Sequence, residues 1–470
     1  MSSYEPTLIN KTTAASAGLD FISAVMGAHP RFPRCGGWVL AFSALLSACA
    51  GPSAGTKKSL NAMIASQNFQ GAEAHLEKVK ESEYGRKNLV LYYLDKGMVQ
   101  HHAGNYKESD QSLSRAEQRM EELYTKSITK TAGMLVLNDN TVDYPGEPFE
   151  RALANVVRAL NYVFLGQPDE ALVESRKVET FLDEINRRLE LKSVYKDDAF
   201  ARYLDALLYA DAGKMDDARI SMEAARKAYE WYSSHYNTTA PRLDYARPGK
   251  EEGELVFIHY NGMAPRKVSK TFQVAWGEAV ALAQASDEAD AQFKNALTAG
   301  VTGKAVTVAY PEFVQDPFTI AGSEVRLASG SEKAAPTALM EDVSAIAIKN
   351  LRDRQALIKT RAIARATIKF VLAESAGAAC DKKYGAKSWQ AILCRGVGHG
   401  AAAATEIADT RGWATLPSQI RMARLRVPPG RHDVTVLFKN AAGAAVATKV
   451  FQGVPISGSK RTYLHYRTAL

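Results

Sequence analysis

Four times between residues 67 and 218 the chain repeats one short pattern: a small or polar residue, a spacer, a mostly apolar residue and, three positions on, a small residue. The segments are Gln67-Asn68-Phe69 with Ala72, Gly104-Asn105-Tyr106 with Ser109, Gly166-Gln167-Pro168 with Ala171, and Gly213-Lys214-Met215 with Ala218. A glycine after the last helical residue adopts the left-handed cap conformation, and a small residue in the following helix lets two helices approach closely. Seven positions before the three turn glycines stand Gly97, Ala159 and Ala206, again small. Leu113 with Ala116 and Met222 with Ala225 continue the pattern downstream. A chain written this way is predicted to form stacked helical hairpins over 59–240, because one hairpin alone cannot bury its apolar face.

The pattern resembles the middle of a tetratricopeptide-type (TPR) repeat. The turns are 37, 62 and 47 residues apart, against a period of about 34 in that family, so these are expected to be divergent TPR-like hairpins with insertions. An ordinary helical bundle with glycine-ended helices is the alternative.

Helical periodicity breaks over 236–253, at Pro241, Pro248 and Gly249. Beyond it, 254–260 (ELVFIHY, ended by Asn261-Gly262) and 304–310 are predicted strands. A long helix over 337–374 and an Ala/Gly-rich helical stretch over 388–408 follow. Alternation then predicts strands at 420–427, 432–439, 444–451 and 461–466, with Pro428-Pro429-Gly430 as a turn. The expected class is α+β: TPR-like hairpins, then a mixed α/β region over 254–470 that ends in a small antiparallel β-sheet or sandwich within 420–467.

The apolar run Gly36 to Ala48 follows Arg31 and Arg34. It is shorter than the roughly 20 residues a spanning helix needs, and charge followed by a short apolar core is the order of a secretory signal. The run ends in Leu46-Ser47-Ala48-Cys49, which resembles the lipobox of bacterial lipoproteins. That resemblance implies removal of residues 1–48, a diacylglycerol on Cys49 and a lipidated tether over 49–58. A start at Met26 leaves a conventional signal. Ala50-Gly51 after the cysteine, with no aspartate, implies the outer membrane, facing the periplasm. Once Cys35 leaves with the signal and Cys49 is acylated, Cys380 and Cys394 remain. In an oxidising compartment they are expected to form a disulfide, with two separate buried thiols as the alternative.

Hydrophobic residues make up 46% of the 470-residue chain, enough for packed cores, and the formal net charge is +8. The densest basic stretch, Arg352, Arg354, Lys359, Arg361, Arg365 and Lys369, falls in the predicted long helix and reads as a solvated face, so nucleic acid is not an expected partner. The chain contains no His-Glu-x-x-His or phosphate-loop motif and no Gly-x-Ser-x-Gly elbow, since Gly51-Pro52-Ser53-Ala54-Gly55 follows no predicted strand. His101-His102 is the one adjacent histidine pair, and consecutive helical residues make a poor metal clamp. Gly396-x-Gly398-x-x-Ala401 lacks the preceding strand of a dinucleotide site. No enzymatic activity, metal or small-molecule cofactor is expected.

Four further segments are distinctive: Gly146 to Arg151 (GEPFER) leading into Ala159 to Tyr162, Tyr260 to Lys267 (YNGMAPRK), Ala408 to Pro417 (ADTRGWATLP), and Val427 to His432 (VPPGRH). Together they resemble a family of proteobacterial envelope lipoproteins that join TPR-like helices to a C-terminal α/β region. The resemblance covers most of the chain after Cys49 and implies no activity. The expected role is a non-enzymatic scaffold or adaptor whose helical layer takes an envelope protein or an extended peptide. The candidate contact residues are Tyr92, Gln100, Tyr162 and Tyr209, rigid amphipathic side chains or else core residues, together with Arg411 and Trp413, which serve either as a hot spot or as an ion pair and packing anchor. A peptidoglycan-related enzyme and an accessory lipoprotein of a pilus, flagellum or secretion system are the alternatives. Replacing Cys49 with Ser is expected to abolish incorporation of labelled palmitate; retained label in the variant contradicts the lipid anchor.

Overall fold

Each of the four repeated turns joins two helices. In this computed structural model residues 51–129, 142–188, 195–286, 291–298, 303, 305–329, 331–392 and 408–469 are described. The pairs are α1 (Ala54–Ala65) with α2 (Phe69–Val79), α3 (Leu89–His102) with α4 (Tyr106–Thr129), α5 (Pro148–Phe164) with α6 (Pro168–Arg188), and α7 (Ala199–Asp211) with α8 (Met215–Tyr236). The turns share one hydrogen-bond pattern. Gly104 N–H donates to His101 O at 3.1 Å and Asn105 N–H to Gln100 O at 2.9 Å, and the same pair recurs at Gln67-Asn68, Gly166-Gln167 and Gly213-Lys214. The first residue of each pair is left-handed, with φ of 81°, 59°, 72° and 77° respectively, which explains glycine at three of the four.

Close approach within the hairpins follows from the small residues. Ala72, Ala116, Ala159, Ala171, Ala206, Ala218 and Ala225 are fully buried. A Cβ on Gly97 would lie 2.6 Å from Leu113 Cγ, and Ser109 Oγ donates to Gly97 O at 2.7 Å, tying α4 to α3.

Behind the helices lies a four-stranded sheet in the order β10-β1-β7-β6: β1 (Gly253–Asn261) pairs in parallel with β10 (Arg461–Thr468) and antiparallel with β7 (Gln419–Val427), which pairs with β6 (Ala338–Asp342). A second, antiparallel sheet has the order β5-β4-β8-β9, from β4 (Gly322–Ser329), β5 (Ser331–Pro336), β8 (Gly430–Lys439) and β9 (Ala445–Ile456). All nine residues of β1 are buried. Val256, Ile258 and Tyr260 join the core shared with the helices, and Leu255 and Phe257 join a core with Val325, Leu327, Val434, Val436 and Phe438 of the second sheet. The order of layers is therefore helices, first sheet, second sheet. The uninterrupted apolar run ELVFIHY reflects a strand covered on both faces.

A side layer consists of the hairpin β2 (Arg266–Ala275) and β3 (Ala305–Val314), the short helices α9 (Trp276–Gln284) and α10 (Ala291–Thr298), and the long helix α11 (Val343–Tyr384). Its small cores gather Val274, Val306 and Val308 with Ala362, Ile363 and Ala366, and Phe293 with Ile368 and Val371.

The chain is α+β, and three sequence expectations change. The four C-terminal strands do not form a sheet of their own: β7 and β10 flank β1, whereas β8 and β9 belong to the second sheet. Pro428-Pro429-Gly430 carries the chain from one sheet to the other, because β1 needs a partner on each edge. The long helix begins at Val343 rather than 337, since 338–342 pairs with β7 and Asp342 caps the helix by accepting from Ala345 N–H at 2.9 Å. It runs on to Tyr384, where Gly385 ends it at φ 81°. Of the Ala/Gly-rich stretch, 393–407 lies outside the described residues.

Gly97→Val is expected to destabilise the protein by about 2 kcal/mol through overpacking against Leu113. Adding Leu113→Ala should recover part of that loss in urea unfolding; a strictly additive double variant contradicts the contact.

Candidate functional site

The first helices of the hairpins present two different faces. One faces the sheet: Asp95 and His101 of α3, Glu150 of α5, and Tyr203 and Leu207 of α7 contact residues of β1, β7, β10 or the 408–417 segment. The other carries a polar stripe at helical spacing that meets the second helix of the preceding hairpin. On α3 it is Tyr92, Lys96 and Gln100, with Lys96 paired to Glu77 and Gln100 Nε2 donating to Glu73 at 2.6 Å. On α7 it is Arg202, Asp205 and Tyr209, with Arg202 on Glu179 at 2.6 Å and Tyr209 beneath Arg176, 5.1 Å from its ring centroid.

The stripe on α5 is the longest. Arg151, Asn155, Arg158 and Tyr162 run along one face, between α4 and α6. Arg158 binds Asp110 at 2.7 Å, Glu117 at 2.5 Å and Glu174 at 2.8 Å. Tyr162 OH donates to Asp110 at 3.0 Å, and Asn155 Nδ2 to Glu117 at 3.3 Å. Arg151 pairs with Glu121 and stacks 4.2 Å over the Phe181 ring. Burial works against the charge of Arg158, but Asp110, Glu174 and Glu117 outweigh it and hold the guanidinium above its ordinary pKa. Burial likewise raises Glu174 against the pull of Arg158 and Lys177. Two atoms of the stripe, Asn155 Oδ1 and Arg151 Nε, are buried without a hydrogen-bond partner. Both residues line a cleft of about 350 Å³ together with Glu117, Lys177, Thr180 and Phe181. The cleft adjoins a shallower hollow of about 720 Å³ that shares Glu117, Arg151 and Lys177 and reaches Ser114, Gln118 and Glu121.

Three of the four distinctive segments, Gly146 to Arg151, Tyr260 to Lys267 and Ala408 to Pro417, converge at a second place. Glu147 takes Lys267 on one oxygen and Arg354 at 2.6 Å on the other. Glu150 accepts from Trp413 N–H at 2.7 Å, Tyr144 OH at 2.8 Å and Glu147 N–H at 2.9 Å. Asp95 accepts from Thr415 N–H and Oγ1 at 3.0 and 2.9 Å and from Tyr84 OH at 2.8 Å. Arg411 grips Asp409 through Nε and Nη2 at 2.9 and 2.8 Å and reaches Val142 O at 2.9 Å. Burial pushes Asp95 up to about 6 and Glu150 up to about 7, yet every oxygen of both carboxylates is occupied by a donor of this chain. The junction clamps 408–417 onto the helices.

A third cluster joins His101, His102 and His465, whose ligand atoms lie within 4.8 Å of one another. Adjacency on α3 does not itself make a clamp, but β10 brings in a third imidazole from the far end of the chain.

Of the expected contact residues, Tyr92, Gln100, Tyr162 and Tyr209 all lie on the stripes; Tyr162 is half-buried and the other three are buried against preceding helices. Arg411 and Trp413 are 1% and 3% exposed, so they act as an ion pair and anchor within the chain and present nothing to a partner. Cys380 is disulfide-bonded; Cys394 and Cys49 lie outside the described residues. Sequence reasoning missed Arg151, Asn155 and Arg158, although their spacing with Tyr162, and that of Asp110, Glu117 and Glu121 on α4, carried the signal. Compared with protein-family models, curated proteins and solved structures, the chain matches none.

Asp205, buried on the α7 stripe, is raised from 3.8 to about 7 by burial, and its Oδ1 has no partner. A carboxyl whose folded pKa is raised loses stability as pH climbs from its unfolded value through the folded one. Asp205→Asn is therefore expected to unfold at a higher denaturant concentration than the parent at pH 8, with the gap narrowing towards pH 5. A gap that is constant with pH contradicts the assignment.

Proposed function

We propose that the chain is a lipid-anchored, non-enzymatic scaffold of the bacterial envelope, related to the lipoprotein family its motifs resemble, with TPR-like hairpins that hold an extended segment of another envelope protein over α5. The observation that carries this reading is the α5 stripe: a cleft between two second helices, lined by Asn155 and Arg151, whose amide oxygen and guanidinium Nε are buried with no partner among the described residues. An extended peptide offers an N–H for Asn155 Oδ1 and a carbonyl for Arg151 Nε, and an unmade bond at either buried atom costs about 1–3 kcal/mol. The rim supplies both signs of charge, from Glu117, Glu184, Arg176 and Lys177. Phe181 gives an apolar wall.

Asp95 and Glu150, both raised by burial, favour a scaffold over an enzyme, because each gives one oxygen to 408–417 and the other to Tyr84 or to Tyr144 and Glu147. Anchorage through Cys49 would place the groove in the periplasm, at the inner surface of the outer membrane.

A photo-crosslinking residue at Thr180, on the cleft wall, is expected to capture one defined envelope protein in intact cells. Asn155→Ala with Arg151→Ala should lower that capture at least tenfold while leaving helical content intact. Capture that is unchanged in the double variant contradicts the groove as the binding surface.

A further inference from the structure

His101, His102 and His465 meet where α3 lies against β1 and β10, and their surroundings are built in a way that simple packing does not require. Ser109 Oγ donates to Gly97 O at 2.7 Å and accepts from Asn161 Nδ2 at 2.9 Å. This orients the Asn161 amide so that its Oδ1 faces His101 Nδ1 at 2.7 Å. An amide oxygen only accepts, so His101 carries its proton on Nδ1 and holds a lone pair on Nε2. That lone pair points to Tyr260 OH, 2.9 Å away. An outer hydrogen bond of this kind, from the far ring nitrogen to an oxygen, is the arrangement that fixes the tautomer of a metal-binding histidine.

The other two rings have nitrogens to spare. Both ring nitrogens of His102 and Nδ1 of His465 are buried with no hydrogen-bond partner, while His465 Nε2 meets Tyr106 OH at 3.0 Å. His102 is 8% exposed and His101 fully buried. Burial lowers the pKa of all three, leaving the imidazoles neutral, the form that ligates a metal. Three unpaired buried nitrogens on two neighbouring rings are costly as a packing solution alone.

We propose that His101 Nε2, His102 and His465 bind one late first-row transition ion, Zn²⁺ or Cu²⁺, in a three-imidazole site. Imidazole suits both ions, and the cluster holds neither thiolate nor carboxylate. Bonds of about 2.0–2.1 Å to a tetrahedral ion set nitrogen separations near 3.3 Å, so ligand atoms now within 4.8 Å of one another close in by up to about 1.5 Å. The Tyr260 hydroxyl, already on His101 Nε2, turns away when the ion takes that lone pair. Arg467 stands near His102 and opposes a dication; its Nε and Nη1 also lack partners. An anionic fourth ligand on the ion, hydroxide or chloride, answers both. Tyr106 and Phe164, stacked at 4.8 Å and half-buried beside His465, form the entry side.

The test uses the purified full-length protein, stripped with chelator and then equilibrated separately with Zn²⁺ and Cu²⁺. One ion per chain, a rise in melting temperature on loading, and at least a tenfold loss of affinity in both His102→Phe and His465→Phe support the site. His235→Ala, far from the cluster, should bind as the parent does. Failure of the parent to retain either ion overturns the proposal, as does retention unchanged in the two phenylalanine variants. Should those variants fail to fold, X-ray absorption of the loaded parent decides: three imidazoles in the first shell support the site, and one or none refutes it.

Discussion

Strand β1 is the constraint on which the rest of the structure depends. It lies in the middle layer, so each of its nine residues must be satisfied on one face by helices or on the other by the second sheet. Its polar residues show how strict that is. Glu254 is met from both neighbouring strands, by Arg424 of β7 through two bonds of 2.9 Å and by Arg461 of β10 at 2.7 Å. Both arginines reach on to α7, at Tyr203 OH and Leu207 O. At the other end His259 is held between Ser323 Oγ and Thr468 Oγ1, and burial brings its pKa down to about 3. Removing one partner from such a buried set leaves an uncompensated group, which is why paired networks of this kind fix a unique register.

The parallel pairing of β1 with β10 also brings β10 to the first hairpin. Gln67, in the first hairpin turn, donates to Arg467 O at 2.7 Å, and His465 reaches α3 and α4 from β10. The helical layer is thus closed by β10, and the hairpins share their core with one face of the sheet: one cluster of buried side chains runs from Leu60 to Met422.

How much of this was legible follows from what local sequence encodes. The hairpins were legible because their capping turns need a left-handed residue and their crossings need small ones, both short-range demands. β1, β3 and β7 to β10 were legible from apolar runs or alternation. β2, β4 and β5 were not, since Arg266 to Ala275 has a mostly exposed pattern with no clean alternation and β5 is Ser-Glu-Lys-Ala-Ala-Pro. Their pairing depends on partners far along the chain. The parallel partner of β1 was likewise out of reach, because β10 alternates as an edge strand of either sense would. His465 is joined to His101 only through that register, and Glu147 to Lys267 and Arg354 only through the fold.

The two-faced character of the first helices connects these points to function. On α5 the residues off the stripe, Glu150 and Asn161, are engaged by Trp413, Tyr144, His101 and Ser109. The opposite stripe keeps unpartnered atoms at Asn155 and Arg151. A helix held rigidly from behind by paired polar bonds presents its other face at fixed spacing, which lowers the ordering cost that a bound segment must overcome. The sheet therefore does for the hairpins what further repeats do in a long solenoid: it covers the side that neighbours would otherwise bury, and it leaves the groove between second helices as the surface on which recognition can act.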